Sequence, residues 1–210
     1  CLLTWLLREE FRCVLLDYPV KARSFDSLAT MPLVVADHFG DSEFDLFATS
    51  FGTLAALGQL TSGASSRIKH AVLQGPLVSL HLSWPEKLLA FGANCLPVTM
   101  DRLPFRRSVL QANHRRWFPP IDETRWEFFA NDTGRPRAAT VATLARLANG
   151  HDYSRRLSGV QTPTLIVSSE GDANRHIVAA DVLSKGLPNS RHEVLTNSGH
   201  IACVTHPHRM

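Results

Sequence analysis

The chain has 210 residues, 44% of them hydrophobic and 20% charged, with a net charge of +3 at pH 7. That length suffices for one domain with a sizeable core, and the composition is that of a globular chain rather than a disordered or fibrous one. A small net charge without blocks of like sign, and the absence of repeats or low-complexity tracts, argue against nucleic acid as a partner.

The opening run Cys1-Leu2-Leu3-Thr4-Trp5-Leu6-Leu7 is closed by Arg8-Glu9-Glu10. It is far shorter than the ~20 apolar residues that a membrane span needs, so it reads as an amphipathic helix packing on a sheet. Residues 12–17, rich in Val and Leu, read as a buried strand, and Pro32 sits in the first turn of a helix that Gly40 closes. The apolar strand Phe44–Thr49 runs directly into Ser50, and a Gly- and Ala-rich helix follows over 52–62. A serine at so sharp a strand-to-helix turn has its hydroxyl lifted above the sheet edge. The free N–H groups of the helix, beginning with Phe51, lie beside any oxyanion that forms there.

Residues 68–74 form another strand, ending at Gly75-Pro76. From about 81 to 158 the pattern changes to helical pieces rich in Arg, Trp and Phe, bounded by Pro85, Pro97, Pro104 and Pro119-Pro120. The strand Thr164–Ser169 then ends in Glu170-Gly171-Asp172. A helix over 174–186, with Ile177, Ala180 and Leu183 on one side, leads to the strand Arg191–Thr196, which ends in Asn197-Ser198-Gly199-His200. Near-continuous apolar strands alternating with helices imply an α/β fold, a mostly parallel sheet with helices on both faces.

Ser50, Asp172 and His200 each follow an apolar strand, and they occur in the order Ser, Asp, His. That is the order found in serine hydrolases built on a parallel α/β sheet. From about Phe11 to Pro207, apart from the middle segment, the chain resembles the α/β-hydrolase superfamily, with Asp172 and His200 at the acid and base positions and Pro188-Asn189 where the family often has similar residues. The elbow is spelled A-T-S-F-G rather than G-x-S-x-G. After the first strand, where the family often reads D-x-x-G-x-G-x-S, this chain has Asp17-Tyr18-Pro19-Val20-Lys21-Ala22-Arg23-Ser24, without either glycine. The Tyr-Pro-Val wording is somewhat similar to the maspardin-type branch.

The resemblance implies a core of residues 1–80 and 159–210 and a helical cap or lid at 81–158. Trp117, Phe118 and Trp126, with Phe128 and Phe129, are candidates to line an apolar acyl or alcohol pocket, the alternative being that they pack the cap onto the core. Arg102, Arg106, Arg107, Arg115 and Arg116 attract an anionic substrate or pair with Asp101, Asp122 and Glu123 on solvated helix faces. The resemblance also implies that the chain is a fragment, opening without methionine and without the first strands or the loop that usually gives the second oxyanion donor. It implies a short end as well, with His206-Pro207-His208 opening a final helix; as a scrap of a metal site the same triplet lacks carboxylate or cysteine partners at useful spacing, and it reads instead as an exposed tail.

Four cysteines, Cys1, Cys13, Cys95 and Cys203, have no C-x-x-C spacing and read as reduced thiols of a cytoplasmic protein, with Cys13 inside a strand. There is no phosphate-binding glycine loop and no metal-ligand pattern, so no cofactor and no metal are expected. The chemistry in prospect is attack by Ser50 on a small-molecule acyl substrate, with His200 as base and Asp172 as orienting acid. The alternative is a fold-retaining binding protein with a protein partner; a lyase using the same three residues is a third possibility.

Overall fold

The computed structural model describes residues 2–19, 22–63, 65–119 and 122–210. Cys1, Val20, Lys21 and Pro120, which figure in the sequence reading, lie outside the described residues. In chain order come helices α1 (Leu2–Leu7), α2 (Phe25–Ala29) and α3 (Met31–Phe39), strand β1 (Phe44–Thr49), helix α4 (Phe51–Leu60) and strand β2 (Ile68–Gln74). Four helices follow, α5 (Trp84–Asn94), α6 (Arg106–His114), α7 (Glu123–Asp132) and α8 (Ala138–Ala148). The chain then returns through β3 (Thr164–Gly171), α9 (Asn174–Gly186), β4 (Ser190–Gly199) and α10 (Ala202–Thr205).

Among the described residues the strands form one parallel sheet in the order β1-β2-β3-β4, flanked by helices, as the apolar strand runs imply. Parallel pairing brings the carboxyl ends of all four strands to one edge, where open α/β sheets place their sites. Central β2 and β3 bury Ala71, Leu73, Ile166 and Val167, whereas the outer strands leave Phe47 and Val194 exposed. Helix α4 carries Leu54, Leu57 and Leu60, all fully buried, onto Leu73 and Ile166 of the sheet. Helix α9 adds Ala179, Ala180 and Leu183 to the same cluster. Its buried stripe is His176, Ala179, Ala180 and Leu183, while Ile177, expected on the buried side, is 47% exposed.

Residues 12–17 correct another expectation. They belong to no strand, and Cys13, Val14, Leu15 and Leu16 are exposed. A strand is held by a ladder to a neighbour, and β1 pairs only with β2 among the described residues. The segment is anchored instead by its side chains, Arg12 pairing with Asp41 and lying over the Phe39 ring. Helix α1 buries Leu3 and packs against α10 and the turn Pro207–Arg209. That contact also buries Pro207, so the C-terminal turn is not wholly an exposed tail. No described helix is long and apolar enough to cross a membrane.

The core assignment is testable with one pair of leucines. Leu57→Ala is expected to lower the unfolding free energy by about 2–5 kcal/mol. Leu89→Ala, at a side chain 72% exposed, is expected to stay within about 0.5 kcal/mol of wild type. Urea denaturation midpoints check both.

Candidate active site

Ser50 lies between the last residue of β1 and the first of α4, with φ 50° and ψ −121°. A non-glycine residue in that region costs on the order of 1–3 kcal/mol and persists only where its surroundings over-determine it. Here they do. The Ser50 N–H donates to the Gln74 carbonyl at 3.0 Å, and the Ser50 carbonyl accepts from the Thr53 N–H at 3.0 Å and the Thr53 hydroxyl at 2.6 Å. The Thr53 oxygen in turn accepts from the Leu77 N–H at 2.8 Å, inside the core. The Phe51 N–H is the first amide of α4, one of the donors for which a helix has no internal acceptor.

Asp172 follows β3, and its side chain is fully buried. One carboxylate oxygen accepts from the Ser169 N–H at 2.7 Å, and the other lies 2.6 Å from His200 Nδ1. Because a carboxylate only accepts, Nδ1 carries the hydrogen, and in the neutral ring Nε2 is left bare. That bare nitrogen is 2.8 Å from Ser50 Oγ. The structure thus brings together Ser50, His200 and Asp172 from the ends of three strands. His200 retains 17% side-chain exposure, so the group is reached from outside. Glu170, the other carboxylate at the end of β3, is turned elsewhere and accepts from the Asn197 N–H at 2.8 Å, tying β3 to the last residues of β4 before His200.

Several residues that shape this site escape sequence reading. Gln74, fully buried, accepts from the Thr49 hydroxyl at 2.6 Å and donates to the His200 carbonyl at 2.5 Å, linking the strand before Ser50 to the His200 loop. Gly75 has φ +54°, and a Cβ there would stand 2.7 Å from His200 Cε1 and 2.8 Å from Nδ1. The only sequence signal for it was the Gly-Pro pair at the end of a strand. His176, four residues after Asp172, is buried with its ring centroid 4.1 Å from that of His200. Burial, and then the nearby His200, hold the His176 pKa below the usual histidine value.

Of the five aromatic pocket candidates, Trp117 reaches the site. Its indole lies against the bare Cα atoms of Gly171 and Gly199, partners across the β3–β4 ladder and the neighbours of Asp172 and His200. Phe118 and Trp126 are each 3% exposed and pack with Phe129 and Ala130 in a second apolar cluster, against Ile201 and Val204. Their place is in that packing rather than on an open wall. The arginines are likewise engaged within the helical region, Arg115 with Glu123, Arg107 with Glu127, Arg106 on the Ala130 carbonyl and the Thr133 hydroxyl, and Arg116 over the Trp117 ring. Cys13, Cys95 and Cys203 are unpaired, and burial pushes the Cys203 thiol up. Among the described residues no three His, Cys, Asp or Glu side chains gather as a metal site would need.

A parallel sheet with a serine elbow at the end of one strand, and an acid and a histidine at the ends of two others, defines the α/β-hydrolase class. A family model described as "Alpha/beta hydrolase family" matches residues 2–210, and the chain belongs to that family. A thermophilic esterase from Thermogutta terrifontis aligns over 99% of this chain and 79% of its own, with 16% identity and a TM-score of 0.79. An esterase from Exiguobacterium antarcticum aligns over 92% of this chain and 73% of its own, at 19% identity and TM-score 0.73. MenH from S. aureus aligns over 92% and 75%, at 18% identity and TM-score 0.70. At such identities the likeness is one of fold.

Two predictions follow from the packing of the site. Gly75→Ala places a methyl group against His200 at a positive φ, and is expected to lower the unfolding free energy by more than about 1 kcal/mol, read from urea titration. Burial also lowers the pKa of both His114 and His176. Below about pH 6.5 the unfolded chain therefore binds protons that the folded chain refuses, and stability falls as pH drops from there toward the folded values. The urea midpoint is expected to decline from pH 7 to pH 5, and the double variant His114→Phe, His176→Phe to decline less.

Proposed function

We propose that this chain is a serine hydrolase cleaving a carboxylic ester or a related acyl bond through an acyl-serine intermediate. The observation that carries the reading is the continuous hydrogen-bond chain from Ser50 Oγ through His200 to the buried carboxylate of Asp172. Family membership and the esterases among the structures of like fold support a hydrolytic reaction.

Ser50 Oγ attacks the substrate carbonyl as His200 Nε2 accepts its proton. A serine hydroxyl is a poor nucleophile at neutral pH without that transfer. The imidazolium so formed donates through Nδ1 to Asp172, whose second oxygen is already held by the Ser169 N–H, so the carboxylate keeps its aim as charge develops. The tetrahedral oxyanion accepts from the Phe51 N–H at the positive end of α4; one such donor contributes about 100- to 1,000-fold in rate. Collapse expels the alcohol, which takes its proton from His200 Nε2 and leaves the acyl group on Ser50. A water molecule, deprotonated by the same nitrogen, then releases the acid.

In this reading residues 81–158 act as a cap over a core of residues 1–80 and 159–210. Its support is that this helical segment is inserted between β2 and β3 and lays Trp117 on the two glycines beside Asp172 and His200. Trp117 then forms one wall of the acyl site, and Phe118 and Trp126 anchor the cap through their cluster with Ile201 and Val204.

A fluorophosphonate probe is expected to label Ser50, with hydrolysis of short p-nitrophenyl esters falling about 10⁶-fold in Ser50→Ala. Asp172→Asn is expected to lose about 10⁴-fold in kcat. Glu170→Gln should retain near-normal turnover, because Glu170 faces Asn197. Labelling that persists in Ser50→Ala would overturn the assignment.

A further inference from the structure

His176 is a buried, titratable side chain against the proposed general base, and the mechanism above makes no use of it. It sits in the first turn of α9, reached four residues after Asp172, and is 8% exposed. Its Nδ1 is 3.1 Å from the Pro76 carbonyl. A carbonyl only accepts, so Nδ1 is the protonated nitrogen of the neutral ring. The two imidazoles are tilted by 36° with centroids 4.1 Å apart, so the rings are in direct contact. The same His200 ring touches the bare Cα of Gly75, one residue before the Pro76 that holds His176. His200 is therefore gripped on its ring atoms by Gly75 and His176, and at its edges by Asp172 and Ser50.

We infer that His176 is a positioning residue: an uncharged aromatic ring that holds the His200 imidazole in line between Asp172 and Ser50 and presents a π face, not a second cation, to the imidazolium formed in turnover. This role rests on the hydrolase reading above. An aromatic face attracts a cation within about 6 Å of its centroid, whereas a protonated ring there would repel it. Three charged or titratable groups outside the pair bear on it, namely Asp172, Arg175 and His114. His200 and Asp172 face His176 from the loops after β4 and β3, Arg175 comes from its own helix, and His114 faces His200 from α6. Burial and the His200 charge lower the His176 pKa, outweighing the Pro76 hydrogen bond and the Asp172 charge, which raise it. Both lowering causes favour the neutral His176 ring whose Nδ1–H the Pro76 carbonyl accepts.

Two variants and one titration test this in the full chain. His176→Ala removes the ring and is expected to lower kcat about 10- to 100-fold with KM within about twofold, because a small misplacement of a reacting group is costly in rate. His176→Phe restores an uncharged ring and is expected to recover kcat to within about threefold of wild type. By NMR, the His176 ring is expected to titrate below the ordinary value of about 6.5. Its midpoint should rise in His200→Gln, where the lowering contributed by the His200 imidazole is gone. Wild-type kcat in His176→Ala, equal losses in the Ala and Phe variants, or a His176 midpoint unmoved by His200→Gln would overturn the inference. Failure of Ser50 to take the fluorophosphonate probe would overturn the hydrolase reading instead. The titration then still decides whether His176 and His200 form a coupled pair.

Discussion

The His200 imidazole reaches Ser50 only because residue 75 has no side chain. The ring lies where the Cβ of any other residue at that position would be, 2.7 Å from Cε1, on a backbone whose positive φ already favours glycine. The same residue directly follows β2, and its N–H donates to the Val167 carbonyl of β3 at 2.8 Å, so the ring rests on backbone that the sheet itself holds. Around this contact the parallel order β1-β2-β3-β4 sets the distances between the groups. The strand bearing Ser50 and the strand bearing Asp172 stand on either side of β2, and the loop after β4 folds back across Gly75 to span them.

The strain at Ser50 is a local cost that the surrounding fold offsets. Thr53 is fully buried, and its hydroxyl donates to the Ser50 carbonyl while accepting from Leu77. Relaxing the elbow would therefore leave buried polar groups unpaired, at about 1–3 kcal/mol for each. The apolar side of α4, with Leu54, Leu57 and Leu60 in the core, stops the helix from moving to relieve that strain. Rigidity of this kind serves a nucleophile, since reacting groups that are already aligned need no reordering in the transition state.

The helices between β2 and β3 are tied down by apolar packing more than by charge. Their ion pairs, such as Arg107–Glu127 and Arg115–Glu123, are largely exposed and contribute about 0–1 kcal/mol each. Phe118, Trp126 and Phe129 pack against Ile201 and Val204, immediately after His200, so displacement of this cluster would disturb the histidine loop. Trp117 makes the second connection by resting on Gly171 and Gly199. These apolar contacts join the helical segment to the loops carrying Asp172 and His200, and Arg125 of α7 adds a hydrogen bond to the Thr205 carbonyl at 2.9 Å.

Local pattern determined most of the elements by itself. The strands at 44–49, 68–74, 164–169 and 191–196, the last two of which the structure extends to Gly171 and Gly199, the Gly40 helix end and the turn at Ser50 are all written in short-range apolar runs and punctuation residues. The order Ser50, Asp172, His200 at the ends of strands was legible for the same reason, because parallel strands joined by helices bring their carboxyl ends to one edge. What the local pattern could not decide was which apolar runs find partners. Residues 12–17 have a strand's composition, yet they join no ladder among the described residues. Nor could it choose between aromatics that face a substrate and aromatics that face each other, as with Phe118 and Trp126. The roles of Gly75, Gln74 and His176 were decided by tertiary structure alone. Each acts through a neighbour 24 or more residues away in sequence, namely His200 for all three. Such contacts depend on how strand ends and loops meet in space, which no window of sequence contains.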